Sequence, residues 1–143
     1  MTVYTSHTPA QTEQIASALA AEVSGGAVIA FRGGMGMGKT AFARGFVKGM
    51  GNDADVYSPT FAIVNDYGGE PHIYHFDMYR VETWDDLYST GFYDYMTDTS
   101  VLLIEWSENI ENALPPGTIY VEIARGETDC DRIITVRKGR DDI

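Results

Sequence analysis

Between Phe31 and Gly45 the chain reads FRGGMGMGKTAFARG, with glycines at 33, 34, 36 and 38 followed by a Lys-Thr pair. Glycine loses more conformational freedom on folding than any other residue, so such a cluster implies a ligand that must come close to the backbone. Gly33, a four-residue gap and then Gly38-Lys39-Thr40 fits the spacing of a phosphate-binding loop. Amides of Gly33, Gly34, Met35, Gly36, Met37 and Gly38 can turn inward around phosphate oxygens. Lys39, Thr40 and Ala41 then open a helix whose dipole favours an anion. In that arrangement Lys39 bridges the β- and γ-phosphates, and the Thr40 hydroxyl holds Mg²⁺.

A phosphate cradle hydrolyses nothing without a metal partner and a group that positions water. The apolar run VLLIEW reaches Glu105 at its end, where a strand-end carboxylate could share the Mg²⁺. Glu108 lies one helical turn further on and could contact the nucleotide. Ser58 and Thr60, in SPT, place hydroxyls at the mouth of a strand, as a switch-like contact to Mg²⁺ or the γ-phosphate requires. In HFDMYR, strand alternation sends Phe76 and Met78 to the core and leaves Asp77 and His75 for the site. His7 and His72 have no metal-ligand spacing around them, which argues against zinc.

These residues need a scaffold. TPAQTEQIASALAAEV reads as a helix with Thr8 as N-cap, Pro9 at its first position, Gln11 completing a capping box, and Gly25-Gly26 as its end. AVIAF (27–31) is a buried parallel strand. Phe42, Phe46 and Met50 share one face of the helix after the glycines. Phe61–Tyr67 and His72–Met78 form a hairpin around Gly68-Gly69. Thr83 caps a short helix, SVLLIEW is a second apolar strand, and IYVEIA and RIITVRK alternate as two closing strands. The reading is α/β: a single P-loop NTPase-like domain over residues 1–143, with a mixed, mainly parallel central sheet flanked by helices and a β-hairpin.

With 143 residues and a net charge of −11 from 10 basic and 21 acidic side chains, the chain has too few cations for a broad nucleic-acid surface. Contact with RNA is therefore expected only through a partner. No apolar run reaches a membrane span of roughly 18–20 residues, and the N-terminus has no secretory pattern. Cys130 is the only cysteine and is expected in a surface loop. A cytoplasmic protein is expected.

In this order, GGMGMGKT, SPTF, YHFDMYR and LLIEW resemble the bacterial tRNA threonylcarbamoyladenosine-biosynthesis ATPase family known as TsaE, over roughly residues 8 to 125. The resemblance implies a Mg²⁺-dependent ATPase that supports threonylcarbamoylation of adenosine 37 in ANN-decoding tRNAs. It implies work with a heterodimer of a threonylcarbamoyl transferase and its inactive paralogue, resetting that complex between turnovers. It further implies that Lys39 and Thr40 bind phosphate and Mg²⁺, that Glu105 shares the metal and that Asp77 is required for hydrolysis. Thr60 would then sit in a switch-like loop and Trp106 beside the site. Three positions depart from the family's habit: Gly34 where an acidic residue is usual, Met37 in place of alanine, and Ala41 in place of a second threonine. Loss of a hydroxyl at 41 implies micromolar or weaker ATP affinity, since such a bond is worth about 1–3 kcal/mol.

Other readings compete. DYGG (66–69) fits a GTPase switch pattern, yet no N-K-x-D guanine-reading motif occurs. A small P-loop kinase would need an arginine-rich lid that is absent here. A nucleotide-dependent interaction module, with incidental hydrolysis, would share the same ATP site. Arg80 is the one nearby candidate for an arginine finger, so slow hydrolysis that a partner accelerates is expected.

Overall fold

Two strands with no polar side chain between Val101 and Ile104 or between Val28 and Phe31 can be buried only if both faces are covered. In the computed structural model, which describes residues 1–32, 38–57 and 64–139, they lie together at the centre of a seven-stranded sheet. The elements are β1 (Thr2–Ser6), α1 (Pro9–Ala20), β2 (Val28–Arg32), α2 (Lys39–Gly49), β3 (Val64–Gly68), β4 (His72–Asp77), α3 (Trp84–Ser89), α4 (Phe92–Tyr95) and β5 (Ser100–Glu105). A 3₁₀ segment (Ser107–Ala113), β6 (Ile119–Arg125) and β7 (Arg132–Lys138) complete the chain. The sheet order is β1-β7-β6-β2-β5-β4-β3. The central strands β6, β2, β5 and β4 are parallel, and antiparallel pairs flank them on both sides. The expected α/β architecture with a mixed sheet and a hairpin is therefore present.

Alternation along the strands sorts the core into two layers. Ile29, Phe31, Ile73, Val101 and Leu103 pack with Ala16 and Leu19 of α1 and with Phe42 and Phe46 of α2. Val28, Ala30, Phe76, Leu102 and Ile104 pack on the other side with Leu87, Phe92 and Ile110. The same period of two places His75, Asp77 and Glu105 on the α2 side of the sheet.

Several local expectations change. The first residues form β1, antiparallel to β7 from Thr2↔Val136 to Ser6↔Arg132; a ladder to the far end of the chain leaves no local signal. Helix α1 stops at Ala20, short of the two glycines. Thr8 accepts from the Gln11 amide at 3.1 Å, but the Gln11 side chain accepts from the His7 amide at 2.7 Å instead of from Thr8. The capping box that forms fully belongs to α3, between Thr83 and Asp86. His7 also bonds Asp131 at 2.7 Å, tying the entry of α1 to the β6–β7 loop, and this bond holds the Asp131 carboxyl below its usual range. Gly68 and Gly69, with φ of 67° and 86°, make the hairpin turn as expected. Cys130 is exposed. Among the described residues, no helix is long and apolar enough to cross a membrane.

Candidate functional site

Helix α2 begins at Lys39, directly after Gly38 in a left-handed conformation with φ of 93°. Apolar packing of Phe42, Ala43 and Phe46 lays the helix on the sheet and so fixes its first turn over the strand ends. Lys39 is only 8 % exposed, and its ammonium lies 3.9 Å from Glu105 Oε1. Glu105 closes β5, which runs parallel to β2, so the carboxylate stands beside the strand that leads into the glycine cluster. Burying two opposite charges is costly without close pairing, and such groups cluster where chemistry needs them.

A third buried group joins them. His75 of β4 is 1 % exposed, and its Nε2 lies 2.7 Å from Glu105 Oε2. The contact is close but poorly aligned, and both atoms are otherwise without a hydrogen-bond partner. On its other side, Nδ1 lies 2.8 Å from the Tyr67 hydroxyl, which donates to the Tyr57 carbonyl at 3.0 Å. Burial raises the Tyr67 phenol above its ordinary range, so it keeps that proton at neutral pH.

Asp77 ends β4 opposite Glu105 in the parallel register. Its Oδ1 accepts from the Tyr79 amide at 2.9 Å, a bond that fixes the carboxylate at the strand end. Trp106 follows Glu105 with φ of 58°, the one non-glycine residue with positive φ among those described. A bulky residue holds that conformation at a cost of about 1–3 kcal/mol, and such strain gathers at working sites. The twist carries its indole to 5.4 Å from the Lys39 ammonium and 4.9 Å from the Tyr79 ring.

Arg80, Tyr79, Trp106 and Asn109 line one open cleft beside this cluster. Glu108 is exposed and faces a neighbouring cleft shared with Glu82, Thr83 and Trp84. Thr40 and Ala41 sit partly buried in the first turn of α2. Gly33, Gly34, Met35, Gly36, Met37, Ser58 and Thr60 lie outside the described residues. Asp66, of the GTPase-like DYGG, is engaged in the hairpin: it accepts from the Gly68 amide at 2.9 Å and pairs with His72. Among the described residues no three of His, Cys, Asp and Glu converge as metal ligands. Sequence reading left His75 free for the site and passed over Tyr67. Only the β3–β4–β5 adjacency reveals their chain of contacts to Glu105.

The architecture is that of an α/β protein whose first central strand leads through a glycine cluster to a helix opening on a buried lysine. The family profile described as "Threonylcarbamoyl adenosine biosynthesis protein TsaE" matches residues 6–134, and the chain belongs to that family. A tRNA threonylcarbamoyladenosine biosynthesis protein TsaE of Bacillus subtilis is 38% identical over 128 residues, 89% of this chain and 79% of the relative. The protein of the same description from Treponema pallidum is 34% identical over 111 residues, 78% of this chain and 82% of the relative. A crystal structure of Bacillus subtilis YdiB superposes with a TM-score of 0.73 at 30% identity, covering 96% of this chain and 84% of that one.

Proposed function

We propose that the protein is a Mg²⁺-dependent ATPase that supports threonylcarbamoylation of adenosine 37 in tRNA by binding and resetting a threonylcarbamoyl transferase complex. The observation that carries the ATPase reading is the buried Lys39–Glu105 pair, with a lysine at the first position of α2 and a carboxylate at the end of the adjacent parallel strand. Membership of the family supports the role in tRNA modification. The partner is proposed to be the heterodimer of the transferase and its inactive paralogue. The net charge of −11 suits docking to a protein that itself carries the tRNA.

In this mechanism the N-terminus of α2 and Lys39 bind the triphosphate and orient its β- and γ-phosphates. Thr40 and Glu105 would hold Mg²⁺. Both are hard oxygen donors, and Mg²⁺ commonly takes one or two protein carboxylates and completes its shell with substrate phosphates and water. The Glu105 carboxylate, buried at the end of β5 with Oε1 turned toward Lys39, fits such a ligand. When bound, the ion would supply positive charge to offset the negative charge that develops on the phosphoryl oxygens. Asp77, together with Thr60, orients the attacking water. Trp106 covers the Lys39 ammonium and limits its access to solvent.

The described cation of the adjoining cleft is Arg80, on a turn and not on a lid, so hydrolysis by the isolated protein should be slow. Adding the transferase heterodimer is expected to raise ATP turnover about tenfold or more, since groups supplied by a partner are worth at least that in related phosphoryl transfers. The measurement is steady-state phosphate release with and without the heterodimer. Unchanged turnover would remove the resetting role.

A further inference from the structure

The buried contacts around Glu105 extend well beyond a lysine and a metal ligand. A carbonyl can only accept, so the Tyr67 hydroxyl must give its single proton to the Tyr57 carbonyl, 3.0 Å away. Toward His75 Nδ1, at 2.8 Å, that hydroxyl can then only accept. The proton is thereby assigned to Nδ1, and the imidazole plane is fixed from β3. Nε2 faces Glu105 Oε2, 2.7 Å away, and since two lone pairs would repel at that distance this nitrogen must carry a proton as well, so that the ring meets Glu105 as a donor. Asn65 Nδ2 donates to the same Tyr57 carbonyl at 3.0 Å, anchoring the far end of the chain. A ring almost wholly removed from solvent, with Tyr67 bonded at one nitrogen and Glu105 close against the other, has little freedom to swing.

We infer that His75 and Tyr67 are positioning residues for the Glu105 carboxylate. His75 backs Oε2, so that Oε1 is held on the Lys39 side, and Tyr67 sets the ring that does so. Outer partners of this kind fix the direction of a ligand's lone pairs as well as its place. The inference rests on the ATPase reading, because it assigns what orients the carboxylate which that reading uses.

The test compares the whole wild-type protein with His75→Ala, His75→Gln and Tyr67→Phe. It reads kcat and KM for ATP, ATP affinity by titration calorimetry in Mg²⁺ and in EDTA, and Tm. His75→Ala should lower kcat about 10–100-fold and shrink the gain in ATP affinity that Mg²⁺ gives, with KM little changed. His75→Gln, which keeps a donor toward Glu105, should recover most of the loss, and Tyr67→Phe should cost several-fold in kcat at nearly unchanged Tm. In a Glu105→Gln background, His75→Ala should add nothing further. Wild-type kcat and Mg²⁺ response in both His75→Ala and Tyr67→Phe would overturn the inference, as would losses that add in full to those of Glu105→Gln. A wild type that neither binds nor hydrolyses Mg·ATP would overturn the ATPase reading itself, and this inference with it.

Discussion

Replacing Glu105 with glutamine is expected to cut ATP turnover by about 100-fold or more while leaving nucleotide bound. The substitution keeps the side chain's volume in a pocket where the native residue is 7 % exposed, so packing is preserved and the charge alone is lost. In the proposed mechanism Glu105 would help hold a metal that acts in the transition state, where charge is moving, and metal polarisation is worth several kcal/mol. At about 1.4 kcal/mol per tenfold in rate, loss of even half of that accounts for two decades. ATP affinity should change far less, because the α2 N-terminus and Lys39 remain. Single-turnover phosphate release beside equilibrium ATP binding separates the two effects. If Glu105→Gln turns over at the wild-type rate, the carboxylate has no part in the chemistry. If the variant also supports normal tRNA modification with hydrolysis abolished, the protein acts as a nucleotide-dependent interaction module instead.

The second large effect concerns stability. Gly45 and Gly49 lie one turn apart in α2, where alanine would ordinarily be preferred by about 1 kcal/mol each. A Cβ on Gly45 would stand 2.2 Å from the Glu13 carbonyl oxygen and 2.4 Å from its Cα; on Gly49 it would stand 2.7 Å from the Ser17 Cα. Both obstacles are backbone of α1, which cannot rotate away as a side chain could. The two glycines form a groove in which α1 rides directly on α2. Gly45→Ala is therefore expected to destabilise the protein by about 2–4 kcal/mol despite its better helix propensity, because overpacking against backbone outweighs that gain. For a domain of this size the loss amounts to a fall in Tm of roughly 5–15 °C, readable by calorimetry or circular dichroism. An unchanged or raised Tm would mean that the helices are not in such close contact. The variant also shifts α2, whose first residue is Lys39, so part of the ATP affinity should go with it.

The sequence made the sheet's centre legible because strands buried on both faces are continuously apolar, and β2 and β5 both read that way. The helix after the glycine cluster was equally legible, since Phe42 and Phe46 recur at helical spacing. Asp77 could be named from strand alternation and Glu105 from its place at the end of an apolar run, signals that fix sides and ends but not neighbours. What stayed hidden depends on pairing across the chain. β1 is a strand only because β7 offers it a ladder, and four-residue α4 is too short to show a period. Gly45 and Gly49 look like weak points of a helix until α1 lies across them. His75 looked free for a ligand for the same reason: its partners Tyr67 and Glu105 come from two other strands, and the register that joins them is written nowhere locally.

The α2 N-terminus and Lys39 are the proposed seat of the triphosphate, and calorimetric titration of Mg·ATP into the wild type and Lys39→Ala tests this most directly. The wild type should bind with one site and micromolar or weaker affinity, and Lys39→Ala should lose about 100-fold or more of it, the measure of a charge-assisted phosphate contact of roughly 3 kcal/mol. Equal binding by the two proteins, or no binding by the wild type at millimolar nucleotide, would contradict it.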